Sequence, residues 1–341
     1  RLGKPLISRQ TPTCSEVTWL FDPAVLVDDD GEAYIYFGGG IPDADKAANP
    51  GTARVARLGR DMQSLVGDPV VIADVPYLFE DSGINKIGGK YYYTYCSNFS
   101  IPDDQVQALG FDKGEIMVMT GEHPMGPFEL VGPILKNPGW FFGLEGNNHH
   151  CMFCFMGQWY MAYHTRILEE RMGILQNYRS TSIDAVQVDT HGQINMIQAT
   201  RAGVAQTKPF DPYRTNKAVT MASMGGAATT QYGERAVCCG SGEMILTGIS
   251  DGSWIHLSNV NFGEKTAQRL EMTVRGTAGG HAKVYLDSPQ GEEVCSVELV
   301  PKDAQRLTTC AVSINRQIQG IHDLWFVFVG EGYEVYDWRF V

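Results

Sequence analysis

No stretch of the 341 residues reaches eighteen consecutive apolar positions, so nothing in the sequence reads as a membrane-spanning helix. The opening "RLGKPLISRQTPT" lacks the apolar centre of a secretory leader, and the chain as it stands carries no address. Positive charge is in short supply: 27 Lys and Arg face 39 Asp and Glu, for a formal net charge of -12 and a pI near 5.1. That balance excludes the clustered cations needed to hold nucleic acid or an anionic membrane, and suits a neutral or basic substrate. Helical signals are scarce too, since few segments keep 3.6-residue apolar spacing without a Gly or Pro. Zinc spacing is missing: Cys151 and Cys154 would face opposite sides of a strand, and no second pair follows.

What is present is enough apolar sequence, 43%, for two domains with real cores. Of eight cysteines, Cys96, Cys151, Cys154, Cys295 and Cys310 lie in apolar, strand-like runs, where a reduced thiol acts as a small hydrophobe. Reduced cysteines favour a cytoplasmic setting; a secreted one would require a leader upstream of residue 1.

A Gly-containing turn followed by an aromatic strand recurs. Gly31 precedes Tyr34, Tyr36 and Phe37; Gly89 precedes Tyr91 to Tyr93 and Tyr95; Gly157 precedes Trp159, Tyr160 and Tyr163. The three glycines are 58 and 68 residues apart, and a short apolar run leads into each turn. A repeat of that length, a hairpin plus two further strands, predicts four-stranded β-propeller blades, with a plain β-sandwich as the alternative. "THGQINMIQAT", around Gly192, is a fainter fourth echo. Two prolines and a charge cluster in "TKPFDPYRT" mark a boundary, after which short alternating strands recur about every ten residues, as in a β-sandwich. The expected fold is therefore all-β: a propeller part over residues 1–207, then a jelly-roll type sandwich over 208–341.

Asp22 in "WLFDPAV" and Glu80 in "YLFEDSG" occupy matched settings at the head of the first strand of their repeats. Innermost strands of a propeller ring an axis, so equivalent acids converge there. Convergent carboxylates suit glycoside hydrolysis, where one acid protonates the leaving oxygen and a second activates water. Flanking Leu20, Phe21, Leu78 and Phe79 would desolvate the pair and favour the protonated form. The competing reading of Asp22 is a strand cap. Asp28, Asp29 and Asp30 read as solvated hairpin-turn residues and Asp81 as a turn or pocket-wall residue.

The segments "SEVTWLFDPAVLVDDDGEAYIYFGGGIP", "ANPGTARVARLGRDMQS", "FEDSGINKIGGKYYYTYCSNF", "GNNHHCMFCFMGQWYMAYH" and "NYRS" resemble glycoside hydrolase family 43, five-bladed propeller enzymes of hemicellulose breakdown. Within it they are most similar to arabinoxylan-debranching members that carry a family 6 carbohydrate-binding module. The resemblance implies an inverting enzyme with three carboxylates: Glu80 as general acid, Asp22 as the Asp that tunes it, and a general base. It implies that Phe99 forms an aromatic wall, that Asn147 and Arg179 hydrogen-bond the sugar, and that His149 lies near a calcium ion whose other ligands are mostly water. The residues alone leave open a surface ion pair for Arg179 and a satisfied core role for His149 and His150; His164 reads as structural.

The first "DP" motif here already matches the second acid of the family, and only three of five blades can be counted. The resemblance thus implies that the base and about two blades lie on an N-terminal fragment, expected as a tightly associated partner. In the sandwich, Leu307 and Val335 stand where the family has ligand-holding residues, and Lys217 and Val219 where it has calcium-binding acids, whereas Trp254 and Trp325 read as core. The implied activity is an α-L-arabinofuranosidase that takes arabinose from arabinoxylan or hemicellulose oligosaccharides. The alternatives are a β-xylosidase or bifunctional enzyme, and a non-catalytic carbohydrate-binding protein.

Overall fold

The β-branched and aromatic runs form 22 strands in the computed structural model, which describes residues 3–174, 176–232 and 243–341. The first sheet is β1 (Ala24–Val27), β2 (Ala33–Phe37), β3 (Arg54–Leu58) and β4 (Leu65–Val71), antiparallel in that order. The second repeats the plan with β5 (Leu78–Ile87), β6 (Lys90–Ser97), β7 (Ile116–Gly121) and β8 (Glu129–Leu135), with helix α1 (Val106–Leu109) between β6 and β7. Helix α2 (Pro138–Phe142) leads to the third sheet, β9 (His150–Phe155), β10 (Gln158–Thr165) and β11 (Ser180–Val186), with α3 (Ile167–Met172) before its last strand.

The repeated glycines sit where the chain must take positive φ: Gly31 (81°), Gly89 (88°) and Gly157 (81°) each turn the hairpin that opens a sheet. Most of the tyrosines that follow are buried; Tyr36 stacks on Tyr93 of the next sheet at 6.0 Å, and Tyr93 on Tyr95 of its own strand at 6.0 Å. The first strands, β1, β5 and β9, are neighbours in turn. The echo around Gly192 is not a further sheet. Val188 and Ile194 make an isolated bridge and Tyr92 Oη donates to the Gly192 carbonyl at 2.8 Å, so this turn packs back on the second sheet.

Two side-chain expectations are corrected. Asp28 is buried, not solvated: it accepts hydrogen bonds from Lys86 Nζ (2.5 Å) and from Tyr91 Oη, tying the first hairpin to the second sheet. Cys151 and Cys154 are exposed on β9 and are not core thiols, because Met152 takes the inward position of that strand; Cys14, Cys96 and Cys295 are buried and free. Cys238 and Cys239 lie outside the described residues.

The chain divides between Ala205 and Gln206. The second unit contains β12 (Asn216–Lys217), β13 (Ser223–Gly225), β14 (Ala228–Tyr232), β15 (Glu243–Thr247), β16 (Trp254–Gly263) and β17 (Arg269–Gly276). It continues with β18 (Gly280–Leu286), β19 (Glu292–Leu299), β20 (Thr308–Ser313), β21 (Gly320–Gly330) and β22 (Tyr333–Phe340). One sheet runs β14-β15-β22-β17-β20 with β12 on β22, the other β13-β16-β21-β18-β19. Ile255, Leu257, Leu324, Phe326, Trp338 and Phe340 fill the space between them. Because strand side chains alternate, Trp254, His256 and Trp325 then point to the opposite face, where the Trp325 ring lies 4.4 Å from His256 and 4.8 Å from Trp254. The core reading of the two tryptophans is thereby corrected. Val335 is fully buried within this core, so it does not stand at a ligand-holding position. Among the described residues no helix is long and apolar enough to cross a membrane.

Burial would raise the Asp28 carboxyl, but the hydrogen bonds from Lys86 and Tyr91 hold it below the usual carboxylate range. A depressed carboxyl stabilises the fold above its unfolded-state pKa, and the effect is lost as pH falls through the native value. Asp28→Asn should therefore lower stability at pH 7 by roughly 1–3 kcal/mol. Urea unfolding at a series of pH values should show the gap to wild type closing as the pH falls below the ordinary carboxylate range; a gap independent of pH would contradict the ionic role.

Candidate active site

The heads of the three first strands bring the acids together. Asp22 precedes β1, Glu80 and Asp81 lie in β5, and Asn147 to His150 lead into β9. Asp22 (φ 47°) and Asp81 (φ 69°) both adopt the left-handed conformation, which Asp tolerates better than bulkier residues. The β5–β6 register slips on both sides of Glu80, and such irregularities re-aim side chains. Gly83 is required just beyond, because a Cβ there would approach His150 Nε2 at 2.8 Å.

Glu80 is 5% exposed, and its Oε1 accepts hydrogen bonds from Asn147 Nδ2 at 2.7 Å and His149 Nε2 at 2.8 Å. The same His149 nitrogen is 3.7 Å from Asp22 Oδ2, and His149 Nδ1 is 3.7 Å from Asp81 Oδ1. Asp81 is occupied otherwise: it accepts from the His150 backbone N–H at 2.7 Å and pairs with His150 Nδ1, while His150 Nε2 meets Thr94 Oγ1 at 2.6 Å. His150 and Asp81 thus form a buried support beneath Glu80: His150 takes the satisfied core role left open for it, with Asp81 and Thr94 as its partners.

Burial raises the Asp22 carboxyl; His149 opposes this, and the negative charges of Glu80 and Asp81 reinforce it. His149 is held above its ordinary value chiefly by its hydrogen bond to Glu80, against the effect of burial. His164 is pushed down to about 4, by burial first and then by the positive charges of Arg179 and His149. Its ring nitrogens have no hydrogen-bond partner among the described residues, and it lines a cavity of about 220 Å³ with Asn147 and Arg179. Arg179 is exposed at that cavity and makes no ion pair among the described residues.

Phe99 is not in that cavity. It is 43% exposed, packs edge-on against Phe79 at 5.4 Å, and forms the lip of an adjoining hollow of about 480 Å³. Trp19, missed from sequence, extends the aromatic belt by meeting Phe21 at 5.3 Å and Phe79 at 5.2 Å. Its only signal was its place two residues before Phe21 in "WLFDP".

Asp22, Glu80 and His149 offer one ligand atom each within 4.8 Å of one another. Calcium takes six to eight oxygens. Two carboxylates and an imidazole fall short of that shell, and His149 Nε2 is turned to Glu80, so this cluster does not fit a calcium cage.

The Glu80 contact has a direct spectroscopic consequence. In wild type the His149 imidazole should keep its proton above pH 6.5, and Glu80→Gln should bring its titration down by removing the leading cause. Side-chain NMR titration of His149 checks this; an unchanged midpoint would place the cause elsewhere.

The geometry can be set beside known proteins. The chain is 40% identical over 337 residues to an arabinoxylan arabinofuranohydrolase of Paenibacillus polymyxa, a match covering 97% of the chain and 52% of that protein. It is 40% identical over 341 residues to one of Bacillus subtilis (strain 168), covering 97% and 64%. The chain thus spans about half to two-thirds of these relatives. A crystal structure of a glycoside hydrolase family 43 arabinoxylan arabinofuranohydrolase from Bacillus subtilis in complex with cellotetraose superposes with a TM-score of 0.88 at 39% identity, over 99% of this chain and 70% of that one. Glycosyl hydrolases family 43 matches residues 7–194, and carbohydrate binding module family 6 matches residues 217–341. With the acids at the heads of successive propeller strands and a sandwich following, the chain belongs to glycosyl hydrolases family 43 and carries a family 6 carbohydrate binding module.

Proposed function

We propose that this chain carries the acid-donating half of an inverting α-L-arabinofuranosidase that removes arabinose side chains from arabinoxylan. The observation that carries the reading is Glu80, 5% exposed, with Oε1 held by both Asn147 and His149 and Asp22 beside it. That grip leaves Oε2 to face a glycosidic oxygen. Glu80 transfers its proton to that oxygen as the bond to the anomeric carbon breaks, and water adds to the carbon from the opposite side. Asp22 acts as a positioning residue beside the donor, with its Oδ2 3.7 Å from the same His149 nitrogen that holds Glu80. Asn147 and Arg179 bind hydroxyls of the arabinose, and Phe99 offers an apolar face to an adjoining ring.

Asp22 is not suited to be the base. Inverting enzymes separate acid and base by roughly 6.5–9.5 Å to admit a water, whereas the Asp22 and Glu80 oxygens lie within 4.8 Å. We assign the base to polypeptide outside these 341 residues, an assignment supported by the greater length of the relatives. No calcium ion enters the proposal, because His149 Nε2 is engaged with Glu80 and the cluster lacks the oxygen donors calcium takes.

In the complete enzyme, Glu80→Ala should lower kcat on arabinoxylan by on the order of 10²–10⁴. The loss should be much smaller on aryl arabinofuranosides, whose leaving groups need no proton; an equal loss on both would reject the acid role. Asp22→Asn should lower kcat on arabinoxylan with KM little changed, as expected of a carboxylate that orients the donor and does not hold the sugar. An unchanged kcat would return Asp22 to a strand cap. Faster hydrolysis of aryl xylosides than of aryl arabinofuranosides would shift the substrate to xylose.

A further inference from the structure

We infer that Glu169, on helix α3, is a positioning residue for sugar recognition: its side chain fixes the stretch of backbone that presents Arg179 to the cavity it shares with Asn147. The inference rests on the proposed glycosidase reading and adds to it a residue that lies outside the lining of that cavity.

Arg179 needs such a hold. Residues 176–179 are exposed and form neither helix nor strand. Irregular surface segments are ordinarily the least ordered parts of a domain, whereas a guanidinium that must reach a sugar hydroxyl tolerates little drift in distance or angle. Arg179 makes no ion pair among the described residues, so its placement depends on where its backbone is held.

Glu169 supplies the hold. It is 4% exposed, a burial that glutamate rarely accepts without partners. Its partners are two backbone groups of that same stretch: Oε2 accepts from the N–H of Gln176 at 2.8 Å and from the N–H of Tyr178 at 2.7 Å. Between them Asn177 takes the left-handed conformation (φ 63°), and the N–H groups on either side of it meet one oxygen. On the other flank Ser180 enters β11 opposite Thr165 of β10. Arg179 is therefore held between a Tyr178 tied to Glu169 and a Ser180 paired in the sheet.

The preceding residue of the same segment, Arg166, ties this stretch to the one that carries Asn147. Its Nη1 donates to Asn177 Oδ1 at 2.6 Å and its Nη2 to the carbonyl of Glu145, two residues before Asn147. Asn147 and Arg179 come from different strand leads, before β9 and before β11, and their spacing across a cavity of about 220 Å³ is set through these contacts. Glu169 thus acts on the sugar through Arg179 and touches no part of the cavity itself.

In the complete enzyme, Glu169→Ala should raise KM for an aryl arabinofuranoside about tenfold with kcat little changed. Glu169→Gln should stay near wild type, because its amide oxygen accepts the same two N–H groups. Added to Arg179→Ala, Glu169→Ala should raise KM no further, since the two act as one unit. An unchanged KM in Glu169→Ala, an equal rise in Glu169→Gln, or additive rises in the double variant would each overturn the inference. If Glu169→Ala is not recovered folded, Glu169→Asp takes its place: it draws the carboxyl back by one methylene and should give a smaller rise, and an unchanged KM there overturns the inference as well. Limited tryptic digestion gives a readout free of activity. Cleavage after Arg179, recognised by a new N-terminus at Ser180, should be several-fold faster in Glu169→Ala than in wild type or Glu169→Gln; equal rates would overturn the hold. If wild type hydrolyses no arabinofuranoside, the glycosidase reading fails, and the digestion still decides whether Glu169 fixes the backbone at Arg179.

Discussion

Three carboxylates, Asp22, Glu80 and Asp81, are crowded where the first strands of three sheets meet, and their mutual repulsion is the constraint around which the site is organised. In a poorly hydrated space such charges cannot all stand alone. Asp81 is paired from below with His150, itself anchored on Thr94, so it serves as structure. Glu80 is gripped at one oxygen by Asn147 and His149, and Asp22 is left with its carboxyl raised by burial. Two histidines from one short segment therefore serve neighbouring acids differently: His150 fixes Asp81, and His149 touches the proposed donor, Glu80.

This arrangement depends on the sheets being held in register with one another. The stacked tyrosines of β2 and β6 and the clamp of Asp28 on Lys86 and Tyr91 lock the first sheet to the second, so that Asp22 and Glu80 face each other from different repeats. Glu80 reaches Asn147 and His149 only because β5 is irregular at that point and β9 runs beside it. The contacts that set distances within 4.8 Å come from residues separated by 58 to 127 positions in the chain.

Polar and apolar recognition are divided in space. Asn147, Arg179 and the neutral His164 line the smaller cavity, where hydroxyls would be read one by one. Trp19, Phe21, Phe79 and Phe99 form a belt of edge-on rings, apolar surface of the kind that suits the C–H faces of sugars. In the sandwich, the large apolar side chains fill the space between its sheets, so the Trp254, His256 and Trp325 stack is confined to an outer face by alternation alone.

Much was legible before any coordinates. Turn glycines followed by aromatic strands define the hairpins because positive φ and period-two burial are local demands, and the matched "FDP" and "FED" settings pointed to Asp22 and Glu80 for the same reason. Asn147 and His149 were singled out through resemblance, but their shared hold on one Glu80 oxygen was not, since hydrogen-bond partners in different sheets leave no local trace. The same limit explains Asp28, which looks like any turn aspartate until Lys86 and Tyr91 close over it, and Cys151 and Cys154, whose apolar run reads as core although they face outward. Trp254 and Trp325 show the remaining ambiguity: alternation states that one face of a strand is buried, and only the second sheet decides which. The sequence by itself determined the kinds of strand, the turns and the chemistry of the acids, because these follow from neighbouring residues; the tertiary structure decided which acid is held, which is anchored and which surface faces water, because charge pairing and burial are properties of residues brought together from afar.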